Sequence, residues 1–233
     1  MSATDESGAA SGTTPQHALP GLLVLGGGGH GRVVAEAAFL SGRFSRLLVV
    51  DPQAAAGWSF PICPCVADET GIAAEPADWR FIAAVGDPAL RRRLFEAYLH
   101  KGFAPASVLH PAAIVSPSAQ VGRGVVVCAG AVVATLARLG DGVIVNHAAV
   151  VEHDGEVGAF AHLAPGAVLA GGASLGDGSF LGSNASIRHG MRVGPGVVIG
   201  NGAAVVADLP EPGTYGGTPA RPLNKTTRPR ESK

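Results

Sequence analysis

The repeat that decides the fold is clearest in residues 145–172, VNHAAVVEHDGEVGAFAHLAPGAVLAGG. An aliphatic side chain stands at every sixth position of this stretch, and the spacing continues without a break through fifteen six-residue units. These positions are Val121, Val127, Val133, Leu139, Val145, Val151, Val157, Leu163, Leu169, Leu175, Leu181, Ile187, Val193, Ile199 and Val205. A six-residue repeat is typical of a parallel β-helix, so we predict a three-sided prism with about 18 residues per coil. A small residue, mostly Ala, follows each aliphatic position by four and is expected to let the chain turn.

The chain before the repeat has a different pattern, in which apolar runs alternate with helical spacing. The apolar runs are residues 22–25, 47–50 and 81–85. The first run leads into the glycine-rich turn GGGGHG at 26–31, and helical spacing follows. A strand, a glycine turn, a helix and a second strand predict a small parallel α/β domain, with ligands outside the carboxyl ends of the strands.

We therefore predict an α/β N-terminal, small Rossmann-like domain followed by a parallel β-helix. The predicted boundaries are a mobile leader at 1–19, the α/β domain at 20–106, the β-helix at 107–222 and a mobile tail at 223–233. The leader begins with acidic residues and lacks an apolar core, so it does not resemble a signal peptide.

Composition excludes several classes of protein. The 17 basic and 18 acidic residues leave a net charge of −1, which argues against a nucleic-acid partner. The 47% hydrophobic content is too high for a disordered chain, and no apolar run is long enough to span a membrane. The 34 glycines do not recur every third residue, which excludes collagen.

The three cysteines predict free thiols and a cytoplasmic location, because their number is odd and too small for a disulfide framework. Cys63 and Cys65 form a C-x-C pair without a second pair, so we predict no metal site.

Candidate functional residues are those that depart from the repeat. The residue after each aliphatic position is normally small, but Asn146 and Glu152 occupy it in two adjacent repeats that also contain His147, His153 and Asp154. A polar cluster in an otherwise apolar repeat is a candidate reaction centre. His162 lies nine residues after His153. His189 lies two coils beyond His153 in the same column, and Gly171 lies between His153 and His189 in that column. Arg188 and Val206 are the other large residues at the position after an aliphatic residue.

The glycine-rich turn fits a dinucleotide-binding fingerprint. Gly26, Gly28 and Gly31 have the G-x-G-x-x-G spacing, and Asp51 follows 20 residues later. Taken alone, this motif would suggest NAD, but the α/β unit is too short for two mononucleotide-binding halves. A turn without a ligand is the structural alternative.

Residues 145–172, the turn GGGGHGRVV and the terminal GGTPAR together resemble the bacterial hexapeptide-repeat sugar acetyltransferases. The group in question contains the bacillosamine and perosamine N-acetyltransferases and the sialic-acid O-acetyltransferases of the NeuD/PglD type. The resemblance covers residues 21–222. It implies that the β-helix is left-handed, which the spacing does not establish. It also implies a homotrimer with acetyl-CoA between neighbouring prisms, and a nucleotide-linked amino sugar as the acceptor.

The resemblance also assigns roles to individual residues. His153 corresponds to the catalytic histidine and Asp154 to its acidic partner, although the family usually has Glu there. The nucleotide sugar is expected at Gly28, Gly29, His30, Asp51 and Asn146, and acetyl-CoA at His162, Gly171, Ser183 and Asn201. Gly171 is our candidate for the backbone N–H that meets the oxyanion.

The chemistry of these residues fits acetyl transfer without a covalent intermediate. An amine must lose a proton before it attacks a thioester, and histidine is the side chain whose pKa suits that step. A neighbouring carboxylate would hold the imidazole and stabilise its charged form. We therefore predict an N-acetyltransferase that acts on the amine of a nucleotide-linked deoxyamino sugar.

Three alternatives follow from the same residues. The first is sugar O-acetylation of the sialic-acid type, and the second is a zinc enzyme of the γ-carbonic anhydrase type. The third is a non-enzymatic protein that binds a sugar nucleotide. The spacing of His147, His153 and His162 does not match the zinc pattern.

Overall fold

The computed structural model describes residues 19–53, 55–68, 70 and 75–223. The predicted leader, residues 1–19, and the predicted tail, residues 223–233, lie outside the described residues except for Leu19 and Leu223.

The N-terminal domain is a five-stranded parallel sheet in the order β3-β2-β1-β4-β5. Its strands are β1 (Gly21–Leu25), β2 (Arg46–Val50), β3 (Cys65–Val66), β4 (Trp79–Ala83) and β5 (Ala104–Pro105). Helix α1 (Gly29–Ser41) joins β1 to β2, a 3-10 turn spans Ala55–Gly57, and helix α2 (Pro88–His100) joins β4 to β5. The central strand β1 is buried along its whole length, as expected of a parallel strand covered on both faces.

The strand order creates a switch point between β1 and β4. The chain leaves β1 toward β2 on one side and returns to β4 on the other, so the loops after these two strands diverge. Ligands of doubly wound sheets bind in the crevice that such a divergence opens. The glycine-rich turn after β1 and the segment 84–87 after β4 border this crevice.

The second domain is a parallel solenoid with three faces, and each strand pairs with the strand 18 residues later, for example Val132 with Val150. The first face has β6 (Val108–Leu109), β9 (Val126–Val127), β12 (Ile144–Val145), β15 (His162–Leu163), β18 (Phe180–Leu181) and β21 (Val197–Ile199). The second face has β7 (Ile114–Val115), β10 (Val132–Val133), β13 (Val150–Val151), β16 (Val168–Leu169), β19 (Ser186–Ile187) and β22 (Ala204–Val205). The third face has β8 (Gln120–Val121), β11 (Arg138–Leu139), β14 (Glu156–Val157), β17 (Ser174–Leu175) and β20 (Arg192–Val193). Strand β23 (Gly213–Gly216) extends the first face, and β24 (Arg221–Pro222) pairs antiparallel with it.

The repeat encodes this solenoid as predicted. The aliphatic residue of each hexad points into the prism, where Val145, Val151 and Leu163 have no exposed surface. The fold class predicted from the sequence, a Rossmann-like α/β domain followed by a left-handed parallel β-helix, is confirmed.

The corners differ in one detail from the prediction. The chain turns at the third residue after each aliphatic position, where the backbone is left-handed, as at Gly142 (φ 65°), Asp154 (φ 57°) and Gly172 (φ 64°). The small residue that follows, such as Ala149 or Ala161, is buried inside the corner. The small side chain is therefore required by the tight interior of the corner, while the preceding residue makes the turn.

The N-terminal domain packs on the first face of the prism. One hydrophobic cluster joins α1 to this face through Val34, Ala35 and Ala38 on the helix and Val108, Val126 and Ile144 on the strands. Among the described residues, no helix has the length and apolar character needed to cross a bilayer.

Candidate active site

His153 and Asp154 lie on the corner between the second and third faces, directly after β13. Asp154 adopts the left-handed conformation that Asp tolerates better than most residues, which turns its carboxylate back toward its neighbour. His153 Nδ1 lies 2.8 Å from Asp154 Oδ2, and both side chains are more than half exposed. Because a carboxylate only accepts, Nδ1 carries the proton and Nε2 of the neutral ring is unprotonated. The hydrogen bond that His153 donates to the Asp154 carboxylate raises the pKa of His153 above its usual value.

Gly171 lies one coil beyond His153 and is covered by the imidazole. A Cβ atom built on Gly171 would lie 2.5 Å from His153 Nε2 and 2.6 Å from Cε1, so a larger residue would displace the ring. The Gly171 carbonyl accepts from Gly190 N at 3.1 Å. Its own N–H makes no hydrogen bond among the described residues. A basic nitrogen and an unpaired backbone donor therefore lie side by side on this corner.

A second cluster of histidines lies between the two domains. The His30 and His162 rings are 6.3 Å apart between centroids, and Phe180 packs edge-on against His162 at 5.1 Å. Asn146 links this pair to His147, because its Nδ2 lies 3.2 Å from His162 Nε2 and its Oδ1 lies 3.0 Å from His147 Nδ1.

Both interdomain histidines are neutral. Burial lowers the pKa of His30 to about 4 and that of His162 to about 3, and the positive charge of Arg91 adds to both effects. A hydrogen bond to the Gly86 backbone acts in the opposite direction and raises the pKa of His162. His30 Nε2 and His162 Nδ1 are buried and have no partner of hydrogen-bonding geometry among the described residues.

Arg91 fastens α2 to the prism beside this cluster. Its buried guanidinium donates to backbone carbonyls of both domains: Val85 O and Gly86 O at 2.8 Å, Gly142 O at 2.8 Å, and Phe160 O. Burial lowers the pKa of Arg91 to about 10, so it stays charged at neutral pH. The residue thus connects the loop after β4 to the corner beside His162.

The glycine-rich turn has the geometry of a phosphate-binding loop. Gly26 has a φ of 116°, and a Cβ on Gly31 would collide with the Gly26 carbonyl, so both positions require glycine. Gly28 is the N-cap of α1 and Gly29 is its first residue; both face open space, and this helix N-terminus has no side-chain cap. Uncapped N–H groups at a helix N-terminus are suited to binding phosphate.

Asp51, which directly follows β2, stabilises the glycine-rich turn by hydrogen bonding. Its carboxylate accepts from Gly27 N at 2.7 Å and from Gln53 N at 2.8 Å. The same residue lines a cavity of about 460 Å³ together with Gly26, Asp68 and Tyr98. Asp51 therefore holds the loop and also borders a volume in the range of small-molecule sites.

The remaining predicted residues lie on other corners. Ser183 and Asn201 occupy equivalent positions one coil apart between the first and second faces, and Ser183 N donates to Asn201 Oδ1 at 3.0 Å. His189 is exposed two coils beyond His153. His162 lies on the first face under the N-terminal domain, so one protomer does not bring it to the corner that carries His153.

Sequence reasoning missed Arg91. Arg91 is the first of three consecutive arginines, and their sequence alone does not predict which side chain is buried. The available signal was the helical spacing of Arg91, Phe95 and Tyr98, the three buried residues of α2.

A metal centre finds no support in the part of the chain that the structure describes. Among those residues, no three His, Cys, Asp or Glu side chains are grouped so as to hold an ion. Cys63, Cys65 and Cys128 are free thiols.

Comparison with known proteins gives consistent matches. The family model of the PglD N-terminal domain matches residues 21–98. A search of curated protein sequences gave no match. The acetyltransferase domain of PglB from Neisseria gonorrhoeae is similar with a TM-score of 0.82 and 40% identity, over 87% of this chain and 99% of that one. A second structure of that domain is in complex with acetyl coenzyme A.

Two further structures extend the comparison. PerB from Caulobacter crescentus, in complex with CoA and GDP-perosamine, has a TM-score of 0.79 and 35% identity over 89% of this chain and 99% of that one. WeeI from Acinetobacter baumannii shares the fold at 21% identity, with a TM-score of 0.80 over 87% of this chain and 99% of that one. With 40% and 35% identity over nearly the whole of two such enzymes, the chain belongs to the NeuD/PglD-type family of hexapeptide-repeat sugar acetyltransferases.

Proposed function

We propose that this enzyme transfers an acetyl group from acetyl-CoA to the amine of a nucleotide-linked deoxyamino sugar, with His153 as the general base. The observation that carries the proposal is the 2.8 Å contact between His153 Nδ1 and Asp154 Oδ2 on an exposed corner. It leaves Nε2 free to accept a proton and places it against Gly171. The shorter Asp side chain, where the family usually has Glu, still reaches the imidazole.

The reaction proceeds by direct transfer. His153 Nε2 takes a proton from the sugar amine while the amine nitrogen attacks the thioester carbonyl, and the Gly171 N–H donates to the developing oxyanion. The tetrahedral intermediate collapses as the C–S bond breaks. The proton held by His153 passes to the leaving CoA thiolate, so the imidazole returns neutral. Asp154 stabilises the imidazolium between these two steps.

The N-terminal domain binds the nucleotide sugar. The free N–H groups at the start of α1 receive its phosphates beside Gly28 and Gly29, and His30 lies at the same end of the helix. The cavity bordered by Asp51 accepts the nucleoside. The PerB structure, which is in complex with CoA and GDP-perosamine, supports an acceptor of this class.

The functional unit is a homotrimer with acetyl-CoA between neighbouring prisms. Four successive outward-facing positions of the second face are apolar, namely Ile114, Val132, Val150 and Val168, and Ile114 is 67% exposed. A contiguous apolar strip on a three-sided prism favours association between copies. Because His153 lies at the edge of this face, a neighbouring protomer would supply the N-terminal domain that faces it.

His162, Ser183 and Asn201 are assigned to the acetyl-CoA side of that interface, and Asn146 to the sugar side. The cytoplasmic location stays a prediction.

The experiment is an acetyl-transfer assay with a panel of UDP-, dTDP- and GDP-linked 4-amino sugars. Thiol release from acetyl-CoA with one of these sugars is expected for the wild type and for His100→Ala, which changes an exposed residue at the end of α2. His153→Ala should lose the activity. A product that survives mild base is an amide; loss of the acetyl group in mild base would identify O-acetylation instead. No thiol release with any amino sugar would overturn the proposal.

A further inference from the structure

Arg188 directly follows β19 on the corner that carries His153, two coils farther along the prism. Stacked strands are about 4.8 Å apart, so roughly 10 Å separates the two coils along the prism axis. The backbone N–H of Arg188 donates to Val205 O at 2.9 Å, which holds this residue in the strand ladder. Its side chain is exposed at a position that is small in most other repeats.

The coil of Arg188 borders the reaction centre on the side opposite His153. Gly171 and Gly172 lie on the coil between them, and the imidazole of His153 covers Gly171. On the other side, Cε1 of His189 lies 4.0 Å from the position that a Cβ atom on Gly172 would take. Arg188 therefore stands one coil from the N–H of Gly171 that is assigned to the oxyanion.

The guanidinium of Arg188 has no carboxylate partner among the described residues. Its one hydrogen-bond partner there is the thioether of Met191, with Nη2 3.7 Å from Sδ. Two other arginines of the prism pair with a carboxylate one coil away, Arg123 with Asp141 and Arg138 with Glu156. The corresponding positions one coil before and one coil beyond Arg188 are Ala170 and Val206. A charged donor is thus exposed beside the reaction centre without a protein anion to pair with it.

The phosphate site at the α1 N-terminus, in contrast, offers N–H groups without a dedicated cation. Arg32, in the first turn of α1, lies over the Trp58 ring at 5.2 Å, and the buried Arg91 donates to backbone carbonyls. Asp51 adds a carboxylate to the turn, which accepts from Gly27 N at 2.7 Å. A diphosphate bound there would gain from a further charged donor, because charge-assisted hydrogen bonds to phosphate are the stronger ones.

We propose that Arg188 of one protomer binds the diphosphate of the nucleotide sugar that the N-terminal domain of the neighbouring protomer holds. The inference rests on the proposed function for the trimer and for the class of acceptor. One sugar ring separates the reacting amine from its diphosphate, whereas the whole pantetheine arm separates the thioester of acetyl-CoA from its own. A cation one coil from the oxyanion donor matches the shorter of these two separations.

The first test is calorimetric binding of UDP, dTDP and GDP to the full-length protein. The nucleotide that the wild type binds should bind roughly 10-fold more weakly to Arg188→Gln, because one charge-assisted contact is lost. Arg188→Lys keeps the charge and should recover most of the affinity. The control is Arg43→Gln, which removes an exposed charge beyond the far end of α1. Unchanged affinity in Arg188→Gln, or no binding of any of the three nucleotides by the wild type, would overturn the proposal.

Steady-state kinetics separate the two sources of phosphate. Arg188→Gln should raise KM for the nucleotide sugar roughly 10-fold and leave KM for acetyl-CoA unchanged. A rise confined to KM for acetyl-CoA, together with weaker calorimetric binding of CoA, would assign Arg188 to the phosphates of CoA and overturn the proposal. Because nucleotide affinity is measured without acetyl transfer, failure of the transfer assay would leave the binding result standing.

Mixed trimers test whether Arg188 acts on the neighbouring protomer. Gly28→Asp places a capping carboxylate at the α1 N-terminus, where Gly28 faces open space, so it should block phosphate binding and preserve the melting temperature. When Arg188→Gln and Gly28→Asp chains are co-expressed, some sites combine an intact Arg188 from one protomer with an intact glycine-rich turn from the other. Wild-type nucleotide affinity should return in that fraction of the sites. No gain over the two single variants would contradict the assignment of Arg188 to the neighbour's substrate.

Discussion

The two interdomain histidines should make the protein sensitive to acid. Their pKa values are about 4 for His30 and about 3 for His162, whereas both titrate near 6.5 when the chain is unfolded. The unfolded chain therefore binds more protons than the folded one as the pH falls below 6.5, and stability decreases with falling pH. One pKa unit corresponds to about 1.4 kcal/mol, so His162 alone should cost about 3 kcal/mol of stability between about pH 7 and 4.5.

Urea unfolding of the wild type and of His162→Gln at these two pH values measures this contribution. The carboxylates of the chain contribute equally to both proteins, so the difference between the two losses isolates the histidine. We expect His162→Gln to lose about 3 kcal/mol less than the wild type on acidification. His30→Gln should behave similarly, and His100→Gln, which changes an exposed residue, should behave as the wild type. Equal losses for the wild type and both buried-site variants would refute the assignment of His30 and His162 as buried and neutral.

Three further substitutions test the site and its support. Asp154→Asn removes the main cause of the raised pKa of His153, so the acidic limb of the pH–rate profile should move to lower pH and kcat should fall by ~10². Gly171→Ala places a Cβ against the His153 ring and should slow acetyl transfer by ~10², with little change in the urea midpoint. Arg91→Met leaves buried carbonyls of both domains without a donor and should lower the free energy of unfolding by about 3 kcal/mol. The control is Arg93→Met, on the exposed side of α2, which should change the free energy of unfolding by less than about 0.5 kcal/mol.

The prism could be predicted from the sequence because the six-residue repeat of aliphatic residues recurs in every coil. Each hexad places one aliphatic residue on the axis, so Val145, Val151 and Val157 mark three successive faces without any knowledge of contacts. Handedness has no such signature in the spacing, and the prediction of a left-handed helix depended on the resemblance. The turn position was also misplaced by one residue, because both the left-handed residue and the small residue after it recur with the same period.

The pairing of His153 with Asp154 was predictable because the two residues are adjacent. The contact between Asn146 and His162 was not, because it joins positions 16 residues apart on neighbouring coils and depends on how the first face is covered. A histidine on a β-helix strand is usually exposed, and the burial of His162 comes from the N-terminal domain packed above it.

The role of Asp51 illustrates the limit of motif reasoning. Its spacing from the glycine-rich turn predicted a contact with a nucleotide, and the structure places its carboxylate on Gly27 N and Gln53 N. The spacing specified that Asp51 lies near the turn. It did not specify whether the carboxylate faces the loop, the ligand or both.

The most direct test of the account is the rate of acetyl transfer by His153→Asn, measured on the amino sugar that the wild type uses and alongside calorimetric binding of CoA and of the matching nucleoside diphosphate. The account predicts a rate at least ~10² lower than that of the wild type, with both affinities unchanged. A variant that transfers acetyl at the wild-type rate would contradict the assignment of His153 as the base.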